Sequence, residues 1–196
     1  MQVRTLKPQV TRFLQVLKPL FKSMTTKTET SQNQVGSFLV GDGKPTWTVE
    51  SVKEVQNPLI LEGTVIKGFG RGGAELGCPT ANLDAESLSD KLATIDPGIY
   101  FGWAQLKGET YKMVTSIGWN PFYKNEKKTI EPHIMHKFES DFYGEHLKIV
   151  VCGYIRPELD FVSVDALIEW IQNDIKVSDQ ALNQDRFMKF RFAESS

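Results

Sequence analysis

The chain has 196 residues, of which 40% are hydrophobic and 24% charged, and its formal net charge is −1. This is ordinary globular composition, long enough for one domain and an appended segment, and the near-neutral charge argues against a general nucleic-acid-binding surface. The two cysteines, Cys78 and Cys152, form neither a disulfide framework nor a C-x-x-C site, which favours a reducing compartment, and no uncharged apolar run approaches the ~18 residues of a membrane span.

Residues 1–28 contain no Asp or Glu. They carry Arg4, Lys7, Arg12, Lys18, Lys22 and Lys27 among Phe13, Leu14, Leu17, Leu20 and Phe21. This is the composition of a mitochondrial transit peptide, and equally of a disordered basic tail. The expected location is therefore cytoplasmic or mitochondrial. Residues 29–58 read as a linker or loosely attached arm. Their first part is polar and low in complexity, and Gly41, Gly43, Pro45 and Pro58 interrupt the rest despite Trp47 and Val49.

The globular body is expected over residues 59–196. Residues 59–67 are rich in β-formers and run into a glycine loop. Gly68, Gly70, Gly72, Gly73 and Gly77 are five of the chain's fifteen glycines. Such a run lets backbone N–H groups approach phosphate. Gly68, Gly70 and Gly73 satisfy G-x-G-x-x-G, but no long helix follows, so the dinucleotide fingerprint fails on context. Gly72 and Gly77 have P-loop spacing, but Cys78 stands where lysine is required. Beyond them, Thr80 and Asn82 place a hydroxyl and an amide two residues apart. On extended backbone these face the same way and suit a phosphate-bound Mg²⁺, which takes oxygen ligands and few of them from protein.

Residues 84–93 offer at most a short helical turn. Pro97-Gly98 marks a turn. Strands are predicted over 99–106, 111–119, 129–138 and 147–156, with a hairpin-length connection at 107–110 and a polar, basic loop at 120–128. This spacing argues an antiparallel barrel or sandwich. A helix follows, with Ser163 as N-cap, Asp165 in the first turn and an apolar stripe of Val164, Leu167, Ile168, Ile171 and Ile175. That stripe is expected to pack on the barrel. A second, weaker helix is expected within 178–191.

Residues 129–136 are Thr-Ile-Glu-Pro-His-Ile-Met-His. On a strand, Glu131, His133 and Met135 face one way, and Ile130, Pro132, Ile134 and His136 the other. A glutamate is unexpected in such a run. It reads either as a solvent-facing residue or as a general base on a rigid element. The histidine spacing does not make a metal site. Phe142 and Tyr143, beside Gly144, either stack a flat ligand or anchor a hairpin tip.

Taken together, Gly-Phe-Gly-Arg-Gly, Leu-Gly-Cys-Pro-Thr-Ala-Asn, Ser-Ile-Gly-Trp-Asn-Pro-Phe-Tyr, Thr-Ile-Glu-Pro-His-Ile-Met-His, Asp-Phe-Tyr-Gly and Gly-Tyr-Ile-Arg-Pro-Glu closely resemble eukaryotic, single-function riboflavin kinases. The resemblance covers about residues 59–177, and some local variants look fungal. It implies a mainly β fold, a closed six-stranded antiparallel Greek-key barrel with C-terminal helices. It implies transfer of the γ-phosphate of ATP to the 5′-hydroxyl of riboflavin, with Mg²⁺ (or Zn²⁺ or Mn²⁺) as the metal. By the same resemblance Glu131 is the catalytic base, and Thr80 and Asn82 hold the metal. Gly68, Gly70, Arg71, Gly72, Gly77, Thr80 and His136 serve ATP and its phosphates. Phe142, Tyr143 and Arg156 lie at the flavin or a flap. The expected partners are these two small molecules, with no nucleic acid, no transmembrane span and a monomeric chain. The stretch ahead of the barrel is shorter than the adenylyltransferase domain of bacterial relatives, so FAD synthesis is not expected. A non-catalytic flavin-binding barrel is the alternative.

Overall fold

The computed structural model describes residues 40–41, 44–66, 80–83, 85–119 and 127–192. The basic segment 1–28, the polar linker, the glycine loop with Gly68, Gly70, Arg71, Gly72 and Gly77, and the 120–126 loop lie outside these residues.

Alternation in the long strands divides the apolar residues between two cores. The strands are β2 (Lys53–Ile66), β4 (Gly98–Leu106), β5 (Glu109–Trp119), β6 (Lys128–Ile134) and β7 (His146–Arg156). One set of positions, including Leu61, Tyr100, Ala104, Met113, Ile117, Ile130, Ile134 and Ile149, forms the barrel interior. The opposite set, including Phe101, Trp103, Val114, Val150 and Cys152, packs under the C-terminal helices. Strands buried on both faces read as nearly continuous apolar runs, which is the pattern of 99–106 and 149–155.

With β3 (Asn82–Leu83), the strands form a six-stranded sheet in the order β3-β2-β7-β4-β5-β6, with every pairing antiparallel. The chain crosses over after β6, so that β7 inserts between β2 and β4. β4 and β5 are joined by Lys107 and Gly108, both at positive φ (52° and 86°). Two such residues make the turn whose twist matches a hairpin. The two ends of the sheet meet where the Ala81 N–H donates to the Pro132 carbonyl at 2.7 Å. The result is the expected barrel, nearly closed.

Three local expectations need correction. The body begins earlier than residue 59. β2 starts at Lys53, Val52 is buried, the Trp47 ring meets Trp170 edge-on at 5.2 Å, and Asn173 Nδ2 donates to the Trp47 carbonyl. β1 (Val40–Gly41) also pairs, in parallel, with β8 (Asp160–Phe161). The glycines and prolines there interrupt local structure, but tertiary contacts with the tail supply what local propensity lacks. Residues 85–93 form a true helix, α1 (Ala85–Ala93), because Leu88 and Leu92 enter the interior core and Lys128 Nζ caps the Ala93 carbonyl at 3.0 Å. Finally, β6 ends at Ile134, short of the predicted 138.

The tail helix α2 (Val164–Ala181) is capped by Ser163, whose hydroxyl accepts from Ala166 N–H at 3.1 Å. Its buried face consists of Trp170, Asp174, Val177, Ser178 and Ala181, while Val164, Leu167, Ile168 and Ile171 are only half-buried. The helix is therefore rotated away from its apolar stripe. The cause is Asp174, which must meet Arg156 at the end of β7. Arg156 Nη2 and Nε donate to the Asp174 carboxylate at 2.6 to 3.1 Å, and Nη1 donates to the Pro157 carbonyl. No basic residue lies in the last turn of α2. Lys112 of β5 supplies that charge from outside, reaching Asp179 and Asn183. The weaker second helix is the single turn α3 (Asp185–Met188), tied to the barrel by Trp103 Nε1 donating to the Phe187 carbonyl.

Removing one partner of a buried ion pair leaves an uncompensated charge. Asp174→Ala is therefore expected to lower stability by about 3–5 kcal/mol, read as a fall in urea midpoint. Glu145→Ala, which breaks the exposed Lys107–Glu145 pair, should cost less than about 1 kcal/mol. Equal effects of the two substitutions would contradict the assignment of Arg156–Asp174 as the tie between tail helix and barrel.

Candidate active site

Glu131 lies in the middle of β6, opposite Ser116 of β5. Its strand neighbours Ile130 and Pro132 are buried, so Glu131 projects to the outer face together with Met135, which packs in the outer core. Ala81 and Leu83 point into the barrel interior. Alternation then directs Thr80 and Asn82 outward. The Ala81–Pro132 hydrogen bond brings the two segments side by side. Three polar side chains, Thr80, Asn82 and Glu131, thus share the outer face at the seam where the barrel closes.

The geometry has a direct electrostatic consequence. The Thr80 hydroxyl donates to the Glu131 carboxylate. Burial pushes the Glu131 carboxyl above its ordinary range, and the Thr80 bond only partly offsets this. Glu131 is half-buried, which disfavours the solvent-facing reading. Its charge is held on a strand, bonded on one side, with its basicity increased by partial removal from water.

A second feature lies at the barrel mouth. The rings of Tyr111 and His136 lie 4.8 Å apart, as do those of His136 and Phe138, and of Phe138 and Phe142. Tyr111, Phe138 and Phe142, with Leu106, Lys107 and Glu109, line a cleft of about 210 Å³. Phe142 packs against the interior core and Tyr143 is its exposed neighbour, at 53%, but the connection is a crossover and not a hairpin tip, because β6 and β7 are not paired. The same loop turns back through Gly144, whose N–H donates to the Val65 carbonyl at 2.9 Å. The cleft therefore flanks the strand end from which the chain leaves into residues 67–79. Tyr111 and Phe138 carried no sequence signal of their own, because an aromatic on a strand is usually core.

Arg156 stands apart from this group. Its guanidinium is buried, occupied by Asp174 and lies over the Phe161 and Trp170 rings. Among the described residues no group of three or more His, Cys, Asp and Glu could hold a metal ion. Thr80 and Asn82 present neutral oxygens beside one carboxylate. That donor set fits a hard cation which takes most of its ligands from water and phosphate.

The sequence profile of the flavokinase family (riboflavin kinase) matches residues 55–182. The chain is 47% identical over 135 residues to the riboflavin kinase of Homo sapiens, covering 68% of this chain and 87% of that one. It is 49% identical over 136 residues to a bifunctional riboflavin kinase/FMN phosphatase of Arabidopsis thaliana, covering 69% of this chain but only 36% of that longer protein. Fungal riboflavin kinases are matched as well. The crystal structure of riboflavin kinase from Trypanosoma brucei superposes with a TM-score of 0.55 at 30% identity, covering 68% of this chain and 85% of that one. Sequence and shape are thus both shared with these proteins, and the chain belongs to the riboflavin kinase family.

Proposed function

We propose that the chain transfers the γ-phosphate of ATP to the 5′-hydroxyl of riboflavin, giving FMN and ADP. The observation that carries this reading is Glu131, half-buried at the barrel seam and bonded by Thr80. A protein that only bound a flavin would gain nothing from a carboxylate held in this way.

In this reading Glu131 accepts the proton of the 5′-hydroxyl as its oxygen attacks the γ-phosphorus and ADP departs. Phosphoryl transfer asks chiefly for positioning and charge neutralisation. Thr80 and Asn82 would hold a Mg²⁺ ion, which would neutralise charge on the phosphates when bound. The backbone around Gly68, Gly70, Gly72 and Gly77, with Arg71, would line the phosphates. The cleft beside His136 carries the aromatic rings of Tyr111, Phe138 and Phe142 among polar neighbours and flanks the start of that loop, which suits the adenine. Arg156 acts at one remove in this scheme, holding α2 and the β7–β8 connection in place.

Two outcomes test the assignment. Glu131→Gln should fold and quench riboflavin fluorescence on binding, yet lose turnover by roughly 10²-fold or more, the usual worth of a positioned base. Normal turnover would remove Glu131 from that role. The second test is pH dependence. A base works only when ionised, and burial raises the Glu131 carboxyl. The acid limb of kcat should therefore lie above the usual carboxylate value of about 4.3, with turnover lost as pH falls through it. Thr80→Val removes the bond that lowers the carboxyl, so its residual activity should show an acid limb at still higher pH. Thr80→Ser, which keeps the hydroxyl, should leave the limb in place.

A further inference from the structure

The connection between β7 and β8 carries Glu158, a residue given no role above. A Cβ built on Gly118 would stand 2.7 Å from Glu158 Cδ and 2.8 Å from Oε2. The carboxylate therefore fills the space that any other side chain at 118 would occupy, and glycine there admits it. Gly118 pairs with Thr129, and Ser116, two residues earlier, pairs with Glu131. Positions two apart on a strand share a face. The Glu158 carboxylate thus lies on the same outer face as Glu131, over the neighbouring strand and two residue positions further along it. Glu158 is exposed as a residue, but its carboxyl is partly withdrawn from water where it lies on the sheet, and that and the Glu131 charge raise it while Arg156 lowers it.

The position along the barrel assigns a side. β7 ends beside the start of β2, where Tyr154 pairs with Lys53, and begins beside the end of β2, where His146 pairs with Thr64. The glycine loop leaves from that second end, after Ile66, and the aromatic cleft lies there too. Glu158 is at the first end. With the nucleotide approaching from the loop end, Glu158 flanks Glu131 on the side left for the acceptor.

We infer that Glu158 binds the acceptor: its carboxylate accepts hydrogen bonds from secondary hydroxyls of the ribityl chain, while the terminal 5′-hydroxyl is held at Glu131. An extended polyol carries hydroxyls on successive carbons. Two carboxylates on one face, offset along the sheet by two residue positions, meet its terminal hydroxyl and one nearer the ring. The pair thereby selects a flavin that bears a polyol, and fixes the chain direction that brings the 5′-oxygen to the base. This inference rests on the assignment of Glu131 to the 5′-hydroxyl.

The test is steady-state kinetics of Glu158→Ala, Glu158→Gln and Gly118→Ala, with lumiflavin, which has the ring but no polyol, as a competitive inhibitor. Glu158→Ala should raise the KM for riboflavin about tenfold or more, as expected for a lost hydrogen bond to a charged group. The KM for ATP and the inhibition constant of lumiflavin should stay unchanged. Glu158→Gln keeps an acceptor oxygen and should recover part of the loss. Gly118→Ala should displace the carboxylate and weaken riboflavin alone, and adding it to Glu158→Ala should cost nothing more, since both remove one interaction. An unchanged KM for riboflavin in Glu158→Ala overturns the inference. So does a parallel loss of lumiflavin and ATP binding, which would make Glu158 a structural residue. Failure of the Glu131 assignment would appear separately, as undiminished kcat in Glu131→Gln.

Discussion

The site depends on how the barrel closes. Five of its strands are long, but the sixth contributes only two residues of regular ladder, and the last gap is bridged by the Ala81 N–H on the Pro132 carbonyl. Proline has no N–H to give, so β6 uses its carbonyl oxygen towards this neighbour. The hydrogen bond fixes register as well as closure. A slip of one residue would turn Thr80 and Asn82 into the barrel and Ala81 and Leu83 out of it. The apolar pair, sealed in the interior, thus determines where the polar pair points. The positioning of Thr80 beside Glu131 is a result of packing.

A second layer of packing makes the seam rigid. Both faces of β4 and β7 are buried, one in the barrel and one beneath the tail. Such strands cannot shift without disturbing two cores. The tail is held by a buried ion pair rather than by its most apolar stripe. Water is excluded from Arg156 and Asp174, so the pair tolerates little misalignment. Because Glu158 follows Arg156 by two residues, the same anchor sets where the β7–β8 connection runs.

Much of this was legible from the residues. Alternation in 129–136 placed Glu131 on one face and Ile130 and Ile134 on the other, and the observed burial agrees. Thr80 and Asn82 were assigned to one face from their spacing. Ser163 was recognisable as a cap. What escaped were features decided by distant partners. The docking of Trp47 on Trp170 joins segments more than a hundred residues apart, and no local pattern announces it. The rotation of α2 follows from Asp174, which reads as a surface charge until Arg156 is seen opposite. The helix over 85–93 needed the interior core to receive Leu88 and Leu92. The Glu158 carboxylate lying over Gly118 is likewise a contact between distant segments.

The crossover of β7 also bears on synthesis. β2 is complete when residue 66 has been made, yet its long partner begins at His146. The arm around Trp47 likewise waits for Asn173, 126 residues later. A nascent chain therefore carries β2 with an unpaired edge while β4, β5 and β6 assemble as a local meander. Such an edge is a template for the wrong strand. β2 spans 14 residues, but Lys53, Glu54, Pro58 and Glu62 punctuate it. Charges and a proline on an edge oppose pairing between chains. These residues contribute little to the finished barrel's core, and their chemistry is of the kind that discourages mispairing of an open edge.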